Sequence, residues 1–248
     1  MGESTQPLTA RQPPSKGYFE RLAGIFVSPG ETFDDIARKP DIVFPLVLLM
    51  LSTISITETM LAKIGIVRIV RTQIEQSSRA ANLSPEQLQQ QVEQAARIGG
   101  AIAHVSFIFV IIGILIIAGI GLLIANAIFG ASVKFKTAMS ITCYAGLVGL
   151  LGAVMAIALI LFGDPEHFNS QNPIPANLGF FMNPLENSKP IIALASSLDI
   201  FTIWNMILLS LGFSRATGGK TKTTPIFFTF FGLWVVWVLI KMGLATLG

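Results

Sequence analysis

Three side chains combine a chemically capable type with apolar surroundings: Asp199, Glu58 and His104. Asp199 stands in Leu198-Asp199-Ile200-Phe201-Thr202-Ile203-Trp204-Asn205. In a helical span of about 190–212 it falls within about 5 Å of the bilayer midplane, where a carboxylate costs roughly 2.5–3.5 kcal/mol. A cost of that size points to a proton or cation site inside a bundle, or to an acid kept neutral or hydrogen-bonded by a neighbouring helix. Glu58 lies about 9 Å beyond the centre of a first span, and His104 near the outer end of a second. A Glu, a His and an Asp at similar depth can relay protons or bind a metal. Alternatively, Glu58 pairs with the nearby Lys63. The spacing of the three carries no motif, so neither a metal nor any other cofactor is assigned.

Other stretches that imitate chemistry have simpler explanations. Ser214-Arg215-Ala216-Thr217-Gly218-Gly219-Lys220-Thr221 is close to a phosphate-binding loop, but Ser214 replaces the first glycine and the segment joins two apolar runs instead of following a strand. It reads as a basic turn. Asp164-Pro165-Glu166-His167 offers metal-ligand types, yet Asp followed by Pro is also a helix start. The single cysteine, Cys143, lies in an apolar run, excludes an intrachain disulfide and reads as packing. No His-Glu-x-x-His, Gly-x-Ser-x-Gly or paired intramembrane aspartates occur, so no catalytic residue is assigned and a non-enzymatic role is expected.

The elements that must position these residues follow from composition. Of 248 residues, 52% are hydrophobic and 12% charged, and the mean hydropathy is +0.67. A soluble domain carries about a quarter charged residues, so this is the composition of an integral membrane protein. A formal charge of +3 is too slight to call for nucleic acid. Runs of about 20 apolar residues cross the hydrocarbon core, and five are present, at about 42–62, 105–129, 138–162, 190–212 and 225–246. Backbone polar groups in lipid must bond internally, which makes all five helices. The predicted fold is an all-α bundle of five spans.

Before the first span, residues 1–16 read as a flexible tail, being rich in Pro, Ser, Thr and Gln. Two amphipathic helices are predicted over about 17–40, lying on the cytoplasmic membrane face with Phe19, Phe26 and Phe33 towards lipid. The second opens on Ser28-Pro29-Gly30-Glu31, a capping box with proline at the first position, and stops at Pro40. The membrane domain then occupies about 41–248. Between spans one and two, Ile66, Ile69, Val70 and Ile74 repeat at helical spacing, with Arg71, Glu75 and Arg79 at every fourth position. Ser84-Pro85-Glu86-Gln87 caps a returning helix, so a helical hairpin is expected over about 63–100, outside the membrane. Gly121 with Ala125, and Ala145, Gly149 and Ala153, have the small-xxx-small spacing that brings helices together in lipid.

Basic residues set the orientation. Arg38 and Lys39, then Lys134 and Lys136, then Arg215, Lys220 and Lys222 fall in alternate connections, which places those connections in the cytoplasm and the carboxy-terminus outside. The hairpin departs from this pattern with Lys63, Arg68, Arg71, Arg79 and Arg97 against Glu75, Glu86 and Glu93.

Ser28-Pro29-Gly30-Glu31-Thr32-Phe33 before the first span, five spans, and Leu198 to Asn205 followed by Leu211-Gly212-Phe213 together resemble the Yip1-domain family in its bacterial form. The resemblance runs from about Phe26 onward and sets Asp199 and Trp204 on the family's span-four pattern. The Asp-Leu-Tyr-Gly-Pro motif of eukaryotic members is absent. The resemblance implies a multi-pass protein of the bacterial inner membrane with no catalytic residue, acting through partners: the bilayer, another membrane protein or an ABC-type transporter complex, or a second copy of itself. The rival expectations are a small transporter or channel component using Asp199, and a membrane-shaping protein acting through Phe19, Phe26 and Phe33.

Overall fold

Ser28 and Pro29 separate the first two helices, α1 (Tyr18–Val27) and α2 (Pro29–Arg38), as the proline demands. The computed structural model describes residues 14–75, 77, 83–164, 172, 174–183 and 186–246. Most of the amino-terminal tail, Arg79, and Pro165 to His167 lie outside them. After α2 come α3 (Val43–Lys63), α4 (Ile66–Glu75), α5 (Pro85–His104), α6 (Phe107–Leu122), α7 (Phe135–Gly146) and α8 (Gly149–Phe162). The chain closes with α9 (Lys189–Ser197), α10 (Ile200–Ala216) and α11 (Thr223–Ala245). Among the described residues there is no strand, only an isolated bridge between Asn177 and Asp199.

Four helical segments are long and apolar enough to cross a membrane: Val43–Lys63, Phe107–Ile128, Phe135–Phe162 and Thr223–Ala245. The stretch expected as a continuous fourth span is instead two helices, α9 and the shorter α10, parted at Leu198 and Asp199. The reason is local: the Asp199 carboxylate accepts a hydrogen bond from the Thr202 N–H at 2.8 Å, the contact of an N-cap, which starts a new helix there. The Ile200 N–H goes to Ala176 O of the preceding loop at 3.1 Å, so loop and break are sewn together. The third span is also interrupted. At Leu147 and Val148 the N–H groups bond three residues back, to Tyr144 and Ala145, between Gly146 and Gly149. The second ends in a π-helical turn, Leu123–Ile128, and the Asn126 side chain then clamps both backbone groups of Val133 at 2.8 and 2.9 Å.

α10 and α11 run antiparallel. Ser214 Oγ donates to Thr221 O at one end, and Lys241 Nζ donates to Ser197 Oγ at the other. The core joins α1, α2, α6, α7, α10 and α11 through Ile25, Phe33, Ala118, Ile141, Phe213 and Ile226. Helices meet where glycine leaves room. A Cβ on Gly121 would overlap the Phe213 ring, and one on Gly212 would press on Ile141 and Phe33.

α2 therefore does not lie along a surface. Thr32, Phe33, Asp35 and Ile36 are buried, because α2 is docked against α10 and α7. Of the three phenylalanines expected to face lipid, Phe33 is fully buried, Phe26 stands edge-on to Trp204 at 5.8 Å, and only Phe19 is exposed. The predicted capping box at Ser28 is not made either. Ser28 is the N-cap without a side-chain bond, and Glu31 reaches Lys16 at 3.5 Å. At Ser84 the box forms with Gln87. The α4 and α5 helices pack on each other as an antiparallel hairpin, and Gly65, at φ 82°, breaks the expected continuation of α3 into α4.

Candidate functional site

The three residues singled out by type separate into two places. Glu58 Oε1 lies 3.8 Å from His104 Nε2, joining the end of α3 to the end of α5. The His104 Nδ1 is 2.7 Å from Gly100 O. With Nδ1 donating to that carbonyl, Nε2 attracts Glu58 only when the ring is protonated. Glu58 thus meets His104 in place of Lys63, and both side chains are exposed. Asp199 joins neither. Among the described residues no group of three His, Cys, Asp or Glu is placed to hold a metal.

Asp199 stands at one end of α10, as its N-cap. Its level follows from α10, which spans about 25 Å from Ala216 back to Asp199, and from Lys241, which sits beside Ser197 about 27 Å along α11. A hydrocarbon core is about 30 Å thick, so both distances are close to its full depth.

What lies beside Asp199 is a cavity of about 680 Å³. One wall is a single face of α10, where Asp199, Thr202, Asn205 and Leu209 recur at three- and four-residue intervals. Opposite are Phe230, Leu233, Trp234 and Trp237 of α11, and the floor is Ile116, Ile117 and Ile120 of α6 with Gly146, Val148 and Gly149 from the α7–α8 break. The α7–α8 break thus contributes part of the cavity lining. Thr202 and Asn205 escaped the sequence reading, although their spacing from Asp199 was the available signal. Trp234 and Trp237, three apart on α11, carried the same signal.

The opposite end of α10 is closed by charge. Arg21 Nε and Nη2 both reach Asp35 Oδ2 at 2.8 Å, and the two side chains are 3% and 2% exposed. The same guanidinium donates to Lys39 O at 2.9 Å and lies 5.9 Å from the centre of the Tyr144 ring. Ser140 Oγ donates to Asp41 O at 2.6 Å and accepts from Asp41 N–H at 3.1 Å, while Tyr144 Oη donates to Asp41 Oδ2 at 3.3 Å. Arg215 pairs with Asp34 at 3.1 Å. The Ser214–Thr221 stretch is a tight turn, with Gly218 and Gly219 at positive φ and Thr221 N–H donating to Thr217 Oγ1.

Apolar helices of spanning length, closed over glycine contacts, define a polytopic helical membrane protein. The family model of the Yip1 domain matches residues 23–245, nearly the whole chain, and the chain belongs to the Yip1 domain family. Neither the curated proteins nor the solved structures gave a match.

Proposed function

We propose that this chain is a non-enzymatic membrane adaptor or accessory subunit that binds another membrane complex, with an ABC-type transporter as one candidate. The observation behind this reading is the α4–α5 hairpin, which packs chiefly on itself and leaves Val67, Ile98 and Ile102 exposed. Ile98 and Ile102 are one helical turn apart and form a continuous apolar strip. Such a strip on a glutamine-rich, otherwise polar helix suits a protein partner. Purification from native membranes in mild detergent should recover a second protein in fixed ratio, and Ile98→Glu with Ile102→Glu should release it while the bundle stays folded. Repeated recovery of the chain alone, or as a self-assembly only, would overturn the adaptor reading.

The orientation belongs to this proposal: five crossings of the bacterial inner membrane, with α9 and α10 together making the fourth, the amino-terminus in the cytoplasm and the carboxy-terminus outside. Its support is geometric. Asp34 meets Arg215, and Asp41 meets Ser140, so the connections carrying the basic residues share one end of the bundle. A reporter active only outside the membrane should work when fused after α11 and fail when fused before α1. A transporter or channel component remains the second reading, because Asp199 opens onto a cavity; substrate flux lost in Asp199→Asn with the fold intact would favour it.

A further inference from the structure

The cavity beside α10 has the dimensions and chemistry of a site for one lipid-like molecule. From Asp199 to Leu209 its α10 wall covers about 15 Å, half of a hydrocarbon core of about 30 Å, which is the depth of one leaflet. Apart from Thr202 and Asn205 its lining is aliphatic and aromatic along that length, and its one charge, Asp199, is at one end. There Asp199 accepts only the Thr202 N–H, through Oδ1. Among the described residues no cation stands within ion-pair distance of it, and Oδ2 has no hydrogen-bond donor. Asn205, about 17 Å from the Ala216 end, lines the cavity with a side-chain amide that has no protein partner among the described residues. At the level of the carboxylate, Lys241 spends one of its donors on Ser197 Oγ and keeps others.

We propose that this cavity binds a single amphiphile, with its hydrocarbon chain between α10 and α11 and a protonated amine on Asp199. An anionic head would meet the carboxylate without compensation. A head carrying both an amine and a phosphate satisfies Asp199 and lies within the level of Lys241. The aromatic side chains Phe230, Trp234 and Trp237 present broad faces to the chain. The shared chemistry is a primary ammonium on an alkyl tail, and its source is either an aminophospholipid of the bilayer or a free long-chain amine. This inference is independent of the adaptor reading, since it concerns the open pocket between α6, α10 and α11 and not the hairpin.

The test uses the full chain, equilibrated with equal amounts of phosphatidylethanolamine, phosphatidylcholine and phosphatidylglycerol, then stripped in mild detergent and examined by native mass spectrometry. The wild type should retain one phosphatidylethanolamine, preferred about tenfold over phosphatidylglycerol, the factor expected of one charge-assisted contact. Asp199→Asn keeps the helix cap, because Asn caps as well as Asp, and should bring the heads near parity. Gly149→Phe fills the cavity from a position where an added Cβ meets nothing within 4 Å, and should abolish retention of any lipid. Octadecylamine should displace the bound phospholipid; failure to displace it overturns the assignment to the amine. Equal retention of the three heads by the wild type, or unchanged phosphatidylethanolamine binding in both variants, overturns the site. Loss of the partner protein from hairpin variants bears only on the adaptor reading.

Discussion

The two ends of α10 are built in opposite ways. At the Ala216 end, α2 is pressed against it, Phe33 fills the space over Gly212, Phe213 fills the space over Gly121, and the polar groups nearby are matched with one another. At the Asp199 end the helix stops short, a loop is sewn to the break, and a cavity lies alongside. The difference teaches how one apolar helix can serve as a fixed post and as a wall. Burial with full pairing immobilises the first end, and a capped break leaves the second open without stranding its backbone groups.

Four sets of substitutions test that contrast. Arg21→Met leaves Asp35 buried without its principal counterion and should cost about 3–5 kcal/mol, read as thermal unfolding in a fixed detergent. Adding Asp35→Leu should return much of the loss, because an apolar pair carries no desolvation penalty. Next, Gly121→Ala drives a methyl into the Phe213 ring and should cost about 1–3 kcal/mol. A Phe213→Leu background should reduce that increment, which the double-mutant cycle measures. At the open end, Asp199→Ala removes the cap of α10 and should cost about 0.5–2 kcal/mol, whereas Asp199→Asn should leave stability near that of the wild type. The smallest effect belongs to Arg215→Gln. Its pair with Asp34 is nearly half exposed, and its loss should change stability by less than about 1 kcal/mol, diminishing further in salt. An Arg215 effect as large as that of Arg21 would show that the closed end is held by its rim and not by its buried pair.

Local signals acting over three or four residues were readable for the most part, the unmade box of Ser28 and Glu31 excepted, since Glu31 turns to Lys16. Ser84 with Gln87 forms the box its sequence announces, and Pro29 starts α2. Signals that depend on docking were not. Phe19, Phe26 and Phe33 recur every seven residues, a spacing that would align them on one helix, but the break at Ser28 and Pro29 sends them to three different environments. Asp35 reads as a dipole-matching surface acid until Arg21, 14 residues earlier, is folded over it. For Asp199, a window of apolar residues measures transfer into lipid and is blind to a cap within it, so the expected midplane acid became the start of a helix. Glu58 and His104 do approach each other, at 3.8 Å, because α3 and α5 end side by side.

The seat of Phe33 over Gly212 also has a consequence for the order of synthesis. The two positions are 179 residues apart in the sequence. At roughly 5–20 residues per second, α2 emerges on the order of 10–40 s before its seat exists. During that interval Phe33 and Ile36 must be held by lipid or by a chaperone, and the buried Arg21 and Asp35 pair is still accessible to water. Docking of the amino-terminal helices is thus a late event. It can take place only once α10, which ends at Ala216, is inserted, so it separates early from late stages of assembly.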